Sequence, residues 1–364
     1  MPSSYLRLLA LLVIFVALAL PAAIDDTDGA DLYEKACAAC HGTDGRGRDT
    51  SAVGFEIPLP DFTDCAFASR EPDADWFAVV HEGGPIRAFD RMMPAFGDAL
   101  EADHVEAILS HVRSFCTNHA WPPGEFNLPR PVFTEKAFPE DEAVVTMAYD
   151  TTSDTTELEL LYEKRIGPRG MVEVAVPLHY SKSLPSGGRD SFGLGNVKLG
   201  YKHTMYHHLD EGSIVAAGFE FVLPTDEGIE DIDDETIFES YVAYGRLLPS
   251  DAFIQVQALA EVGLQGVRDD EVGLRFAAGK TWTRDTFGRA WSPMLEILAT
   301  RQLGSNADTR LDIIPQVQVS LNKRQHVLLN LGLRFPDDGA RDPQLVFYVL
   351  WDWFDGGLFD GWGR

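Results

Sequence analysis

From about Ala143 onward, apolar and polar positions alternate with a period of two, the pattern of strands whose two faces meet different surroundings. Val172, Val174, Val176 and Leu178 alternate with Glu173, Ala175 and His179, and Ile254, Val256, Ala258, Ala260, Val262 and Leu264 with Gln255, Gln257 and Glu261. Leu311, Ile313, Val317, Val319 and Leu321 oppose Arg310, Asp312, Gln316, Gln318 and Ser320 in the same way. Val327, Leu329, Leu331, Leu333 and Phe335 oppose His326, Asn330 and Arg334. About twelve such segments of roughly ten to thirteen residues can be marked out, long for soluble strands and suited to strands tilted across a bilayer. Polar loops at 151–155, 181–191, 224–234, 303–308 and 336–342 alternate with tight turns such as 167–170, 248–251 and 322–324. The pattern predicts an all-β antiparallel barrel of about 12 strands over 143–354, with short turns at one end and longer loops at the other. Aromatic residues near strand ends, including Tyr180, Tyr201, Tyr241, Trp282, Trp291, Trp351 and Trp353, fit interfacial girdles. Periodicity does not say which face points inward, so a soluble β-sandwich or lipocalin-like barrel stays open as the alternative.

The first 120 residues follow a different period. Val105, Ile108, Leu109, Val112 and Phe115 recur at helical spacing, Asp75 to His81 reads as a shorter helix ending at Gly83-Gly84, and Asp31 to Ala36 as another. Trp121-Pro122-Pro123-Gly124 to Pro131 is a Pro-rich stretch that marks a linker over 120–142. At the N-terminus Arg7 precedes the apolar run Leu8 to Leu20, followed by Pro21-Ala22-Ala23 and Asp25-Asp26. That is a secretory signal over 1–23, cleaved after Ala19 or Ala23. The expected organisation is therefore a signal, an all-α domain at 24–119, the linker, the barrel and a tail at 355–364.

The helical domain carries the candidate chemistry. Cys37-Ala38-Ala39-Cys40-His41 has the C-x-x-C-H spacing of covalent c-type haem attachment: two thiols reach the two vinyl groups of one porphyrin, and the adjacent imidazole binds the iron. Zinc and dithiol readings of C-x-x-C lack support here, because Cys65 and Cys116 are isolated and no apolar strand precedes the motif. A haem that carries electrons wants a sixth ligand, which Met supplies while raising the potential. Met92-Met93-Pro94 lies in a Gly- and Pro-rich stretch downstream.

On these residues the segment 28–116 resembles a class I cytochrome c domain. The resemblance implies a single covalent haem c, and a ligand Met directly before a Pro, which falls on Met93. It also implies a C-terminal helix crossing the N-terminal one. His81, which also precedes a Gly-rich turn, is the chief rival ligand, ahead of His104, His111 and His119. Trp76 and Phe77 are expected to wall the pocket. Cys65 and Cys116 are an even pair in an exported chain, either a disulfide or two buried free thiols.

A second resemblance covers one strand pair. Gly193-Leu194-Gly195-Asn196-Val197-Lys198-Leu199-Gly200-Tyr201-Lys202 is similar to the G-x-G-D-x-x-L-G-x-K strand of outer-membrane barrels associated with phenol degradation and related transport, with Asn196 in place of Asp. Barrels of that kind generally finish on an aromatic residue, whereas Phe354 is followed by ten further residues, Asp355 to Arg364. No catalytic set emerges from the strand region. His207-His208 lacks accompanying ligands, and the acidic run Asp226 to Glu235 lacks the order of a calcium loop.

The net charge of -27 argues against nucleic acid and leaves basic or neutral redox proteins as partners, with outer-membrane lipid around the barrel. The reading is an electron carrier rather than an enzyme: a haem held by Cys37, Cys40, His41 and Met93, periplasmic, anchored by a barrel in the outer membrane. The alternatives are a redox-coupled pore or transporter, and an electron-relay subunit of an oxidoreductase.

Overall fold

The alternating positions form one antiparallel sheet that closes on itself. The structure, a computed structural model, describes residues 28–54, 57–150, 152, 155–181, 191–226, 235–266, 268–304, 308–337, 339 and 341–352. The expected export signal, the acids from Glu227 to Asp234 and the expected C-terminal tail lie outside the described residues.

Twelve long strands make the barrel: β1 Glu142–Asp150, β2 Thr155–Ile166, β3 Gly170–Ser181, β4 Lys198–His208, β5 Ser213–Val222, β6 Ile237–Leu248, β7 Ala252–Gly263, β8 Glu271–Lys280, β9 Ala290–Gln302, β10 Thr309–Ser320, β11 Val327–Pro336 and β12 Gln344–Asp352. Each pairs with its neighbours in sequence. The ring closes where β1 meets β12, from Glu142 opposite Asp352 to Asp150 opposite Gln344. Two short segments, Ser191–Leu194 beside β3 and Trp282–Thr283 beside β9, extend the rims. Closure leaves no long strand with an unpaired edge.

The sidedness that periodicity left open is settled by burial. Val242, Leu274, Leu331 and Leu333 point outward and are 50%, 53%, 49% and 47% exposed. Glu163, Lys202, Thr204, Gln257, Glu296 and Asn330 point inward and are buried. A soluble sandwich buries its apolar face; this barrel does the reverse. Trp282 and Trp291 face each other across two strands at the short-turn rim, both exposed. Tyr241, expected among the rim aromatics, is instead buried in the lumen, because it shares strand parity with the inward Glu239 and Ala243.

The stretch between the two domains joins them and also fills the barrel. Its residues 127–141 run through the lumen without a strand partner, and buried backbone must be hydrogen-bonded somewhere. Luminal side chains supply the bonds. The Glu296 carboxylate accepts the N–H groups of Val132 (3.2 Å), Phe133 (3.0 Å) and Thr134 (2.6 Å). Gln318 accepts from Arg130 at 2.9 Å and Gln257 from Glu135 at 3.0 Å. Gln255 donates to the Pro129 carbonyl, Arg275 to that of Phe133 and Thr204 to that of Ala137. Phe126, Ala137 and Phe138 pack on Ile214, Ala216, Tyr241, Ala243 and Leu259 of the wall. The segment enters and leaves by the same mouth: Leu128 packs on Phe253 at the start of β7, and Asp141 meets Lys164 and Arg165 at the end of β2.

The helical part contains α1 Gly29–Ala36, α2 Ala38–His41, α3 Thr50–Val53, α4 Cys65–Ala68, α5 Asp73–Glu82 and α6 Ala102–Ser114. Asp28 caps α1, its side chain accepting the Ala30 N–H at 3.0 Å. α1 crosses α6 so closely that a Cβ on Gly29 would lie 2.1 Å from the Ala107 carbonyl oxygen, which only glycine permits. α6 buries Val105, Ile108, Leu109 and Val112, the helical stripe read from the sequence. Cys65 and Cys116 form a disulfide with Cα atoms 5.1 Å apart, tying α4 to the chain leaving α6.

The helical domain seats on the short-turn end of the barrel. Arg87 donates to the Phe287 carbonyl at 2.8 Å, His326 Nε2 lies 2.8 Å from the Glu71 carboxylate, and Arg324 stacks over Phe89.

Candidate functional site

The site grows from the break between α1 and α2. Cys37 ends the first helix, its N–H donating to the Tyr33 carbonyl at 2.8 Å, and begins the second. One helical turn then brings Cys40 and His41 back toward it: the N–H groups of Cys40 and His41 both donate to the Cys37 carbonyl, at 3.1 and 2.9 Å. Two small residues, Ala38 and Ala39, let that turn pack closely, and Ala38 is buried. Both thiols are free and half-buried. Burial, and then the neighbouring Cys40, push the Cys37 thiol up to about 11.

His41 stacks on Phe62 with ring centroids 5.0 Å apart, and Phe62 in turn meets Trp76 at 5.5 Å. Burial lowers the imidazole's pKa, so the ring is neutral near neutral pH and offers a lone pair. Its Nδ1 is buried with no hydrogen-bond partner. A buried polar atom without a partner calls for an explanation such as a redox or binding role for its side chain.

An apolar nest of side chains lies against Cys37, and His41 stacks on its Phe62 member. Tyr33, Ala38, Phe62, Ile108 and Val112 form its buried centre, with Cys37, Phe67, Trp76, Leu100 and Phe115 packed against it. The Tyr33 hydroxyl donates to the Gly42 carbonyl at 2.8 Å, fixing the chain after His41. His111, one of the rival ligands, packs beside Tyr33 and Phe115 at 5.2 and 4.9 Å.

Met93 sits in the loop after α5, half-buried, whereas Met92 is 46% exposed. The loop is sewn to the end of α5 by Gly84 N–H to the Met93 carbonyl (3.0 Å), Phe96 N–H to that of Val80 (3.0 Å) and Gly97 N–H to that of His81 (2.9 Å). Its far end reaches the haem-motif cluster through Leu100, which packs on the same nest as Cys37. His81 is engaged elsewhere: its ring stacks on Phe77 and meets Phe287 of the barrel at 5.4 Å. His119 is exposed.

Trp76 lies in the nest as expected, under the Arg113 guanidinium at 4.3 Å. Phe77 turns away to stack on Phe287, 6.1 Å between centroids, because the next position on α5 faces the barrel rather than the nest. The luminal bonding set centred on Glu296, Gln257 and Gln318 escaped the sequence reading. Its trace was the interleaving of Arg130, Glu135, Lys136, Glu140, Asp141 and Glu142 with prolines, charge that a free linker does not need.

Comparison with known proteins gives the helical domain a family. Residues 25–112 match the family described as cytochrome c oxidase, cbb3-type, subunit III. They are a c-type cytochrome domain, and membership implies covalently bound haem c. Cys37, Cys40 and His41 beside the apolar nest fit that group. No curated protein matches the chain. Among solved structures, an outer membrane channel from Pseudomonas putida F1 is 16% identical, covering 61% of this chain and 99% of that one at a TM-score of 0.43. NanC porin (10% identical, 57% of this chain and 97% of that one, TM-score 0.41) and KdgM porin (11%, 58% and 98%, 0.39) are similar at the same level.

Proposed function

We propose that this c-type cytochrome domain, set on the short-turn mouth of a closed 12-strand barrel, is a one-electron carrier held at an outer membrane by a barrel that is itself plugged. The observation that carries the reading is the helical turn Cys37 to His41, with its neutral, half-buried imidazole stacked on Phe62 of an apolar cluster. Cys37 and Cys40 would hold a single haem c by thioether bonds, and His41 and Met93 would ligate its iron. Haem c supplies a one-electron iron couple when bound. The chain's own part is to keep water from the site with Phe62, Trp76 and Leu100, and to fix the loop bearing Met93 against α5. The disulfide from Cys65 to Cys116 restrains the helices behind it.

The outward apolar face supports lipid around the barrel. Short turns face the periplasm in such barrels, which supports a periplasmic side for the haem domain. The luminal segment 127–141 favours an anchor over a pore, since its bonds to Glu296, Gln257 and Gln318 occupy the polar interior. The partners on this reading are redox proteins with basic or neutral faces, opposite the acidic charge of the chain.

The test is the optical spectrum of the purified protein. Reduced-minus-oxidised spectra should show one c-type haem per chain, and ferric protein the weak long-wavelength band that Met ligation produces. Met93→Ala should abolish that band while the haem stays attached. Survival of the band would move the ligand elsewhere and refute the assignment.

A further inference from the structure

Three carboxylates in the lumen serve none of the roles described so far. Glu135 of the luminal segment, Glu163 of β2 and Glu173 of β3 each bring one oxygen to within 4.8 Å of the other two. Glu163 and Glu173 stand directly opposite each other in the register of β2 and β3, where like charges repel. Glu163 is 0% and Glu173 5% exposed, and each keeps one oxygen without a hydrogen-bond partner.

Nearby basic groups pair with Glu135, whose two oxygens lie 2.5 Å from Lys202 and 3.8 Å from Arg130, and with one oxygen of Glu163. Lys202 donates to Glu135 at 2.5 Å and to the Lys136 carbonyl at 2.8 Å. Arg130 lies 3.0 Å from the second oxygen of Glu163 and also pairs with Glu142. Among the described residues no cationic side chain lies within ion-pair distance of Glu173.

The wall is shaped for the arrangement. Gly200 of β4 is the partner of Glu173 in the register, and a Cβ there would lie 2.0 Å from Glu173 Oε1. A glycine inside a strand weakens it and marks a close approach. Here it makes room for the Glu173 carboxylate. Gly200 and Lys202 are the last glycine and the lysine of the motif Gly193 to Lys202, whose end therefore serves this cluster from one strand.

We propose that Glu135, Glu163 and Glu173 bind a divalent, oxygen-seeking cation of calcium size, which ties the luminal segment to the barrel wall. All three donors are carboxylate oxygens, the choice of hard cations rather than of zinc or copper. Three carboxylate oxygens within 4.8 Å of one another can each lie about 2.4 Å from one calcium ion, whereas magnesium keeps several waters and is held by only one or two carboxylates. Two ligands belong to the wall and one to the segment, so the ion cross-links what hydrogen bonds already hold.

The test uses the full-length haem-loaded protein in detergent, stripped with a chelator and titrated calorimetrically with calcium chloride, then with magnesium chloride. One calcium per chain is expected, bound at least tenfold more tightly than magnesium. Glu173→Gln and Glu135→Gln should each weaken it at least tenfold without changing the haem spectrum. The second variant leaves the wall intact and so guards against misassembly of the first. Amide exchange across 130–137 should quicken at least tenfold when calcium is removed. Absence of calcium binding in the native protein would overturn the site in favour of a shared proton between Glu163 and Glu173. Undiminished binding in both variants would overturn it by placing the ion elsewhere.

Discussion

Ile108 on α6 and Leu331 on β11 are both aliphatic residues in regular elements, yet one is 1% and the other 49% exposed. The helical domain hides its apolar stripe, while the barrel displays its own and hides Glu163, Lys202, Gln257 and Glu296. Burial of apolar surface away from water drives both arrangements. What differs is the surrounding medium. Water outside the cytochrome domain pushes Ile108 inward, and on the proposed outer-membrane placement Leu331 satisfies the same rule in hydrocarbon. Apolar periodicity reports that an element has two faces; only its packing reports which one meets the solvent.

The contrast can be broken at either pole. The largest effect is expected at the haem motif, where Cys37→Ser with Cys40→Ser should remove covalent haem altogether. A haem-stained denaturing gel would show an empty band, while the heat-dependent mobility of the folded barrel persists. Loss of both together would join two regions that the structure builds separately.

The paired test comes next. Ile108→Ala should cost the helical domain about 2 to 5 kcal/mol, read from denaturant unfolding followed through the haem. Leu331→Arg should cost the barrel about 2 to 4 kcal/mol in lipid vesicles if the position lies near mid-bilayer. No loss at Leu331 would return that face to water and end the membrane reading. A change of similar size is expected from Cys116→Ser, which opens the Cys65–Cys116 loop and should lower helical-domain stability by about 2 to 4 kcal/mol. Thermal melts in the presence and absence of reductant measure it.

The smallest effect separates the two regions by pH. Glu125, at the joint between them, accepts the Asp73 N–H at 2.8 Å, and burial followed by the Asp73 charge raises its pKa. A carboxyl that holds its proton more tightly when folded contributes stability below its unfolded pKa and loses it as pH rises through the folded value. Glu125→Gln should therefore flatten the acid side of the helical domain's stability profile and leave the barrel's unchanged.

Much of this was legible in the chain. The alternation that runs through Val172 to Leu178 and Ile254 to Leu264 marked strands, and the stripe from Val105 to Val112 marked α6, because each period maps directly onto one backbone geometry. The spacing Cys37 to His41 pointed to the haem motif because its chemistry is local. What stayed hidden depends on contacts between distant segments. Tyr241 looked like a rim aromatic, since sequence position along a strand does not reveal parity with Glu239. Phe77 looked like its neighbour Trp76, although one helical step carries it from the nest to the barrel. The segment 127–141 lacks any period, and its bonds to Glu296 and Gln318 join residues more than 160 apart.

The seam between β1 and β12 has a consequence in time. Glu142 meets Asp352 only after every intervening strand has taken its place, so the longest loop in the molecule is also the last to shut. The helical domain depends on short-range contacts and is complete within the first third of the chain. Haem loading can therefore be finished while the strands are still unpaired. Residues 127–141 lead directly into β1, so on the proposed reading the cytochrome domain is the leading piece of its own anchor.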